Sequence, residues 1–230
     1  MPIENPASVN KSKASIEANL LAPKIAEKET IEACKAAKSL GIAAVCVKPC
    51  YVHQAVFALR GSEIKPATVI GYPFGDQSKA VKVAGTKRAL TEGILELNLV
   101  ANSAYLLDGK YDLFEDDIRA ICCLARMNFA LVNIILNCKY LPDDLIVNGV
   151  KIIAETEAHW ISPSSGLGKA VEDEAYFSLL KQTLGETIKL KSMGKVENQS
   201  TYIRLQELGC DRIALENPGK YQDFVTDEGR

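Results

Sequence analysis

No apolar run in the 230 residues reaches the roughly 20 residues that a membrane-spanning helix needs. The opening MPIENPASVNKSK also lacks the apolar core of a secretory signal. Charge of one sign is missing too: 27 basic against 29 acidic side chains leave a net charge of -2. That balance gives no footing for a nucleic-acid or membrane surface. The seven cysteines are odd in number and scattered. Cys46 and Cys50, like Cys122 and Cys123, have no His or Cys partners at zinc-site spacing. They read as reduced thiols, mostly core, in a cytoplasmic protein that needs no metal or other cofactor. A P-loop is absent as well. GLGK at 166–169 ends like one, but Pro163 stands where the first glycine belongs and Ala170 replaces the metal-binding hydroxyl.

What is present is an alternation. Short, almost continuously apolar segments predict strands at 15–21, 42–47, 67–71, 95–101, 130–138, 159–162, 187–192 and 212–215. Between them, helical spacing predicts helices at 27–39, 54–59, 79–91, 111–127, 142–156, 171–184 and 199–208. Several of these helices stop at a glycine, such as Gly41, Gly93 and Gly209. Strands this apolar are buried on both faces, as in parallel sheets. Eight strands, seven of them followed by a helix, predict an α/β fold, the (β/α)8 TIM barrel. An open doubly wound sheet is the alternative, without a glycine fingerprint after its first strand. One barrel domain is expected over residues 15–217, with a flexible segment at 1–14 and a tail at 218–230.

In such a barrel the active site lies at the C-terminal ends of the strands. Alternation along each strand nominates inward residues there. They are Glu96, Asn98 and Val100 on the fourth strand, and Asn133, Ile135 and Asn137 on the fifth. Ser162 follows on the sixth, with Lys189 and Lys191 on the seventh. Polar groups inside a barrel cost roughly 1–3 kcal/mol each when unsatisfied. Either they serve chemistry, or the neutral Asn and Ser satisfy one another and fill the barrel top. With no Asp, His or Cys/His pair among them, acid–base machinery looks thin. The Ser- and Gly-rich loop after Ser162 is either an anion-holding turn or only a connection.

Five stretches carry a resemblance: VCVKPCYV (45–52), KPATVIGYPFG (65–75), LELNLVAN (95–102), DGKYDLFEDDI (108–118) and SPSSGLG (162–168). Their order and spacing are similar to those of the deoxyribose-phosphate aldolases. These are class I aldolases on a TIM barrel, which cleave 2-deoxyribose 5-phosphate through a lysine Schiff base without metal. The resemblance runs from about Ser15 to Asn217 and implies that fold. At the reaction centre the residues depart from it. The Schiff-base lysine is matched by Ser162, followed by Pro163, and the relay aspartate by Asn98. A lysine and a glutamate of the fifth strand are matched by Asn133 and Asn137. The first-strand Asp-His-Thr pattern reads Glu17-Ala18-Asn19. The second active-site lysine is kept as Lys191, and the cysteine beside the substrate as Cys46.

At the phosphate site the resemblance keeps Gly166 and Gly194, but Lys195 replaces a glycine. The Ser-rich turn after the eighth strand reads Leu215-Glu216-Asn217 and places a negative charge there. The terminal tyrosine of some members is missing from a chain that ends Asp-Glu-Gly-Arg. The resemblance therefore implies a pseudoenzyme: two positive and two negative positions have become neutral, aldolase activity is lost, and sugar phosphate binds weakly or not at all. The remaining role would be protein binding or scaffolding. Actin or another cytoskeletal protein is the candidate partner, because aldolases of the fructose-bisphosphate type associate with actin. A homo-oligomer is also admitted. The alternative is a weak or altered aldolase working through Lys191 on deoxyribose 5-phosphate or another small sugar phosphate.

Overall fold

The computed structural model describes residues 16–167, 173–185, 188–216 and 219. Eight parallel strands close a barrel in sequence order. They are β1 Ile16–Leu20, β2 Ala44–Val47, β3 Lys65–Ile70, β4 Glu96–Val100, β5 Leu131–Ile135, β6 Trp160–Ser162, β7 Lys189–Ser192 and β8 Cys210–Leu215. The barrel closes where Ile16 of β1 pairs with Ile213 of β8. Around it lie α1 Glu27–Leu40, α2 Val52–Leu59, α3 Lys79–Thr91, α4 Ser103–Leu107, α5 Tyr111–Met127, α6 Asp143–Ala154, α7 Glu174–Leu184 and α8 Gln199–Glu207. This is the TIM barrel that the alternation predicts.

The helices over 79–91 and 111–127 appear with the expected bounds, and others differ at their ends. α4 is unforeseen: its five residues are too few to show a period, and Asn102 caps it by accepting from the Ala104 amide. β5 is shorter than the predicted 130–138 because Asn137 turns left-handed at φ 53. The expected N-terminal segment, the tail and the start of the 171–184 helix lie wholly or largely outside the described residues. No helix among the described residues is long and apolar enough to cross a membrane.

The main core lies between strands and helices. Leu97, Leu99, Ile134 and Ile161 point outward from the barrel into the same cluster as Phe114, Ile118 and Ile121 of α5 and Phe177 of α7. Each such side chain, fully buried, contributes about 1.5–3 kcal/mol. One charged pair crosses this layer. Lys82 Nζ of α3 donates to Asp117 Oδ2 of α5 at 2.6 Å and to the Val100 carbonyl at 3.0 Å. Both side chains are buried. The pair thus fixes the C-terminal end of β4. Nearby, Gly75 (φ 76) lets the turn after β3 press on the end of β4. A Cβ there would stand 2.1 Å from the Ala101 carbonyl oxygen.

Candidate functional site

Inside the barrel the polar side chains form one connected network. At its base, the Arg212 guanidinium lies over the Trp160 ring, 4.8 Å from its centroid. Its Nη1 donates to Glu96 Oε2 at 3.0 Å and stands 3.7 Å from Glu17 Oε2. Lys191 Nζ donates to Glu17 Oε2 at 2.5 Å and to Asn98 Oδ1 at 2.9 Å. Asn98 Nδ2 reaches Cys46 Sγ at 3.3 Å and Glu17 Oε1 at 3.4 Å. Asn133 Nδ2 donates to Asn98 Oδ1 at 2.9 Å, and Ser162 Oγ donates to Asn133 Oδ1 at 3.1 Å. Glu17, Asn98, Asn133, Ser162 and Lys191 are all buried.

Burial and charge set the electrostatics. Desolvation pushes the Glu96 carboxyl above the usual carboxylate range, against the downward pull of Arg212 and Lys191. The Cys46 thiol is pushed far up, first by burial and then by the Glu17 charge, so it is a neutral filler rather than a thiolate.

Five of the sequence-nominated residues, Glu96, Asn98, Asn133, Ser162 and Lys191, meet here as alternation predicts, with Cys46 beside them. Three expectations change. The interior is not short of ionisable groups, since Glu17, Glu96, Lys191 and Arg212 give two carboxylates and two cations. Glu17 keeps a carboxylate at the start of its strand. Arg212 was legible as the cation of β8, two residues before the inward Ala214. Lys189 is not inside: at the first position of β7 it opens to solvent at the barrel's lower rim. Asn137 does not join Asn133. Its left-handed backbone swings it to the mouth, where Nδ2 donates to the Pro73 carbonyl (3.0 Å) and Oδ1 accepts the Ser165 amide (2.8 Å).

Above the network stands an apolar layer. Val100, Ile135, Met193 and Ala214 each lie two residues beyond Asn98, Asn133, Lys191 and Arg212, hence one layer nearer the mouth. With Leu21, Cys46, Ala67 and Val69 they form a cluster separate from the main core, and Tyr72 packs on it.

The loops at the mouth carry the remaining nominated residues. Gly166 has φ 82, and a Cβ there would stand 2.3 Å from the Met193 carbonyl oxygen. It is therefore needed for the close contact of the loops after β6 and β7. Ser164 Oγ donates to Asp173 Oδ2 at 2.6 Å. Gly194 is buried, whereas Lys195 and Glu216 are exposed. The Tyr72 hydroxyl is pushed up mainly by burial, then by Cys46 and the nearby Glu216 charge.

An eight-stranded parallel barrel holding a buried lysine–carboxylate pair on its inner wall defines the class: a TIM barrel with an ionisable interior. Comparison with known proteins agrees. The chain is 32% identical over 198 residues to the deoxyribose-phosphate aldolase of Clostridium tetani, covering 86% of this chain and 91% of that one. It is 34% identical over 205 residues to that of Treponema denticola, covering 88% and 94%. Among solved structures, QR15, an aldolase, superposes with a TM-score of 0.84 at 28% identity over 96% and 98% of the two chains. The deoxyribose phosphate aldolase of Aeropyrum pernix gives 0.85 over 94% and 91%, and at 20% identity that likeness concerns the fold alone. No protein-family model matches the chain. The chain belongs to the deoxyribose-phosphate aldolase family.

Proposed function

We propose that the chain is a carbon–carbon lyase-type member of this family whose carbonyl chemistry has moved from position 162 to Lys191. The observation that carries this reading is the Lys191 amine, 2.5 Å from the Glu17 carboxylate inside the barrel. A Schiff base needs a neutral amine, and Ser162 offers only a hydroxyl. Lys191 passes a proton to Glu17, and the free amine adds to the substrate's carbonyl carbon. Glu17 then returns its proton as the carbinolamine oxygen leaves as water, giving an iminium and restoring the carboxylate. The electron pair of the breaking carbon–carbon bond flows into the iminium, and the hydroxyl on the departing carbon gives its proton to Glu17. Glu17 returns that proton to the enamine carbon before water hydrolyses the iminium and frees the amine. Asn98 holds the amine but relays no proton, so turnover is slow; a placed acid–base group is worth about 10²–10⁴-fold.

The test is reductive trapping with acetaldehyde and borohydride. A reduced adduct is expected on Lys191 and none at position 162, and Lys191→Met removes it. Absence of any adduct on Lys191 refutes this reading.

A second reading is favoured by the apolar layer over the network and by the hydroxyl at position 162. In it the chain is a pseudoenzyme that binds or scaffolds a protein, with actin or another cytoskeletal protein the first partner to try. Co-sedimentation with filaments that is unchanged by Ser162→Lys places that function on the outer surface. Loss of binding in a folded pocket variant refutes the surface role.

A further inference from the structure

We infer that the lower rim of the barrel carries a self-association site. There Phe129 of one copy of this chain packs against Phe129 and the adjoining cavity of a second copy, about a two-fold axis. The site lies at the end opposite the mouth and stands apart from the Lys191 reading.

The observation is a break in a pattern. Among the described residues, helix-to-strand turns lead into β2 through β8, and five of them pass through a glycine with positive φ. These are Gly41, Gly61, Gly93, Gly185 and Gly209. The turns into β5 and β6 use Phe129 at φ 56 and Glu157 at φ 63 instead. Glycine is the usual residue at such a helix stop. A bulky side chain there is strained, and strain of this kind gathers at functional sites. The turn is pinned in that shape: the Phe129 amide donates to the Arg126 carbonyl at 3.1 Å, and the Ala130 amide to the Ala125 carbonyl at 2.9 Å. Both exceptions line one cavity of about 370 Å³.

That cavity has apolar walls in Cys122, Leu131 and Val132, and a charged rim in Arg126 and Glu157. His159 also lines it, kept neutral by burial, and its Nδ1 accepts the Val132 amide at 3.2 Å. Phe129 is 92% exposed and Met127 75%, which puts an aromatic anchor in water beside an apolar socket. Leu95, also exposed, extends the patch, and its carbonyl accepts the Leu131 amide at 2.9 Å. Anchor and socket on one patch are what a two-fold contact between identical copies requires. The rim points to the same occupant. Arg126 Nη1 donates to Glu157 Oε1 at 2.7 Å, and both side chains are more than half exposed. A two-fold axis sets Arg126 of each copy against Glu157 of the other, whereas a partner of one sign is repelled by one of the two. A net charge of -2 leaves little repulsion between copies.

The experiment is sedimentation equilibrium on the full chain, with thermal unfolding as the control. The contact is small, so half-association is expected at roughly 1–100 μM. Phe129→Gly is expected to weaken association at least tenfold, while the unfolding midpoint stays level or rises because glycine suits the left-handed turn. Arg126→Glu makes the rim wholly acidic, and Glu157→Arg makes it wholly basic. Each alone is expected to associate at least threefold more weakly than the parent at low ionic strength. An equimolar mixture of the two is expected to regain the parent's affinity. The inference is overturned if the chain stays monomeric at about 1 mM, or if Phe129→Gly associates as tightly as the parent. Charge variants that associate no better mixed than alone overturn it as well.

Discussion

Replacing Lys82 by methionine isolates the buried ion pair that joins α3 to α5. Methionine keeps most of the apolar stem, so little packing is lost. The ammonium is lost from two partners, Asp117 Oδ2 at 2.6 Å and the Val100 carbonyl at 3.0 Å. Breaking a buried pair by removing one partner costs about 3–5 kcal/mol, and the lost bond to Val100 adds about 1 kcal/mol. Urea titration at pH 7 should therefore show Lys82→Met destabilised by about 4–6 kcal/mol. Adding Asp117→Leu removes the stranded carboxylate and should restore stability to within about 1 kcal/mol of the parent. The sign of the pH dependence follows from burial, which already holds the Asp117 carboxyl above the usual range. Without Lys82 that rise is larger, and the folded state prefers the protonated acid. Stability tied to that proton is complete below the unfolded Asp value of about 3.9 and is lost as pH rises through the folded one. The deficit of Lys82→Met should therefore be smaller near pH 4 than at pH 7. A single variant within 1 kcal/mol of the parent at pH 7, or a double variant as unstable as the single, refutes the reasoning.

Ser162→Lys puts an amine without a carboxylate of its own into a fully buried position, and should lower the denaturation midpoint. Asn98→Asp added to it should recover part of that loss, with at most trace cleavage of deoxyribose 5-phosphate in a coupled assay. Full activity in the pair would mean that Asn133, Asn137 and Glu216 do not matter. Gly166→Ala should cost at least about 1–2 kcal/mol from the left-handed backbone alone, plus the displacement of the Met193 carbonyl. Thermal unfolding unchanged from the parent would show that the two loops are not in contact in solution.

Much of the barrel was legible because parallel strands buried on both faces leave continuous apolar runs, and glycine stops mark the helix ends. Where the pattern failed, a local conformation overrode it. β5 ends early because Asn137 enters the left-handed region, and α4 is too short for a period to show. The polar network was half legible. Alternation placed Asn98, Asn133, Ser162 and Lys191 together, since each follows its strand's parity. It could not supply the pairings across the barrel: Glu17 is 174 positions from Lys191, and Glu96 is 116 from Arg212. Those pairings turn an apparently neutralised interior into a charge-balanced one. Lys189 shows the reverse failure, where parity held but the strand's first residue lay at the rim.

The Asn137 side chain has a mechanical consequence. One amide group grips the Pro73 carbonyl in the turn after β3 and the Ser165 amide in the loop after β6, while its own backbone ends β5. Each segment is tied to the end of β5 by its own bond, so both bonds must break before the rim over these strands opens fully. Amide hydrogen exchange at Ser165 then reports the opening of the loop after β6, and in Asn137→Ala that amide should exchange at the rate of a free loop.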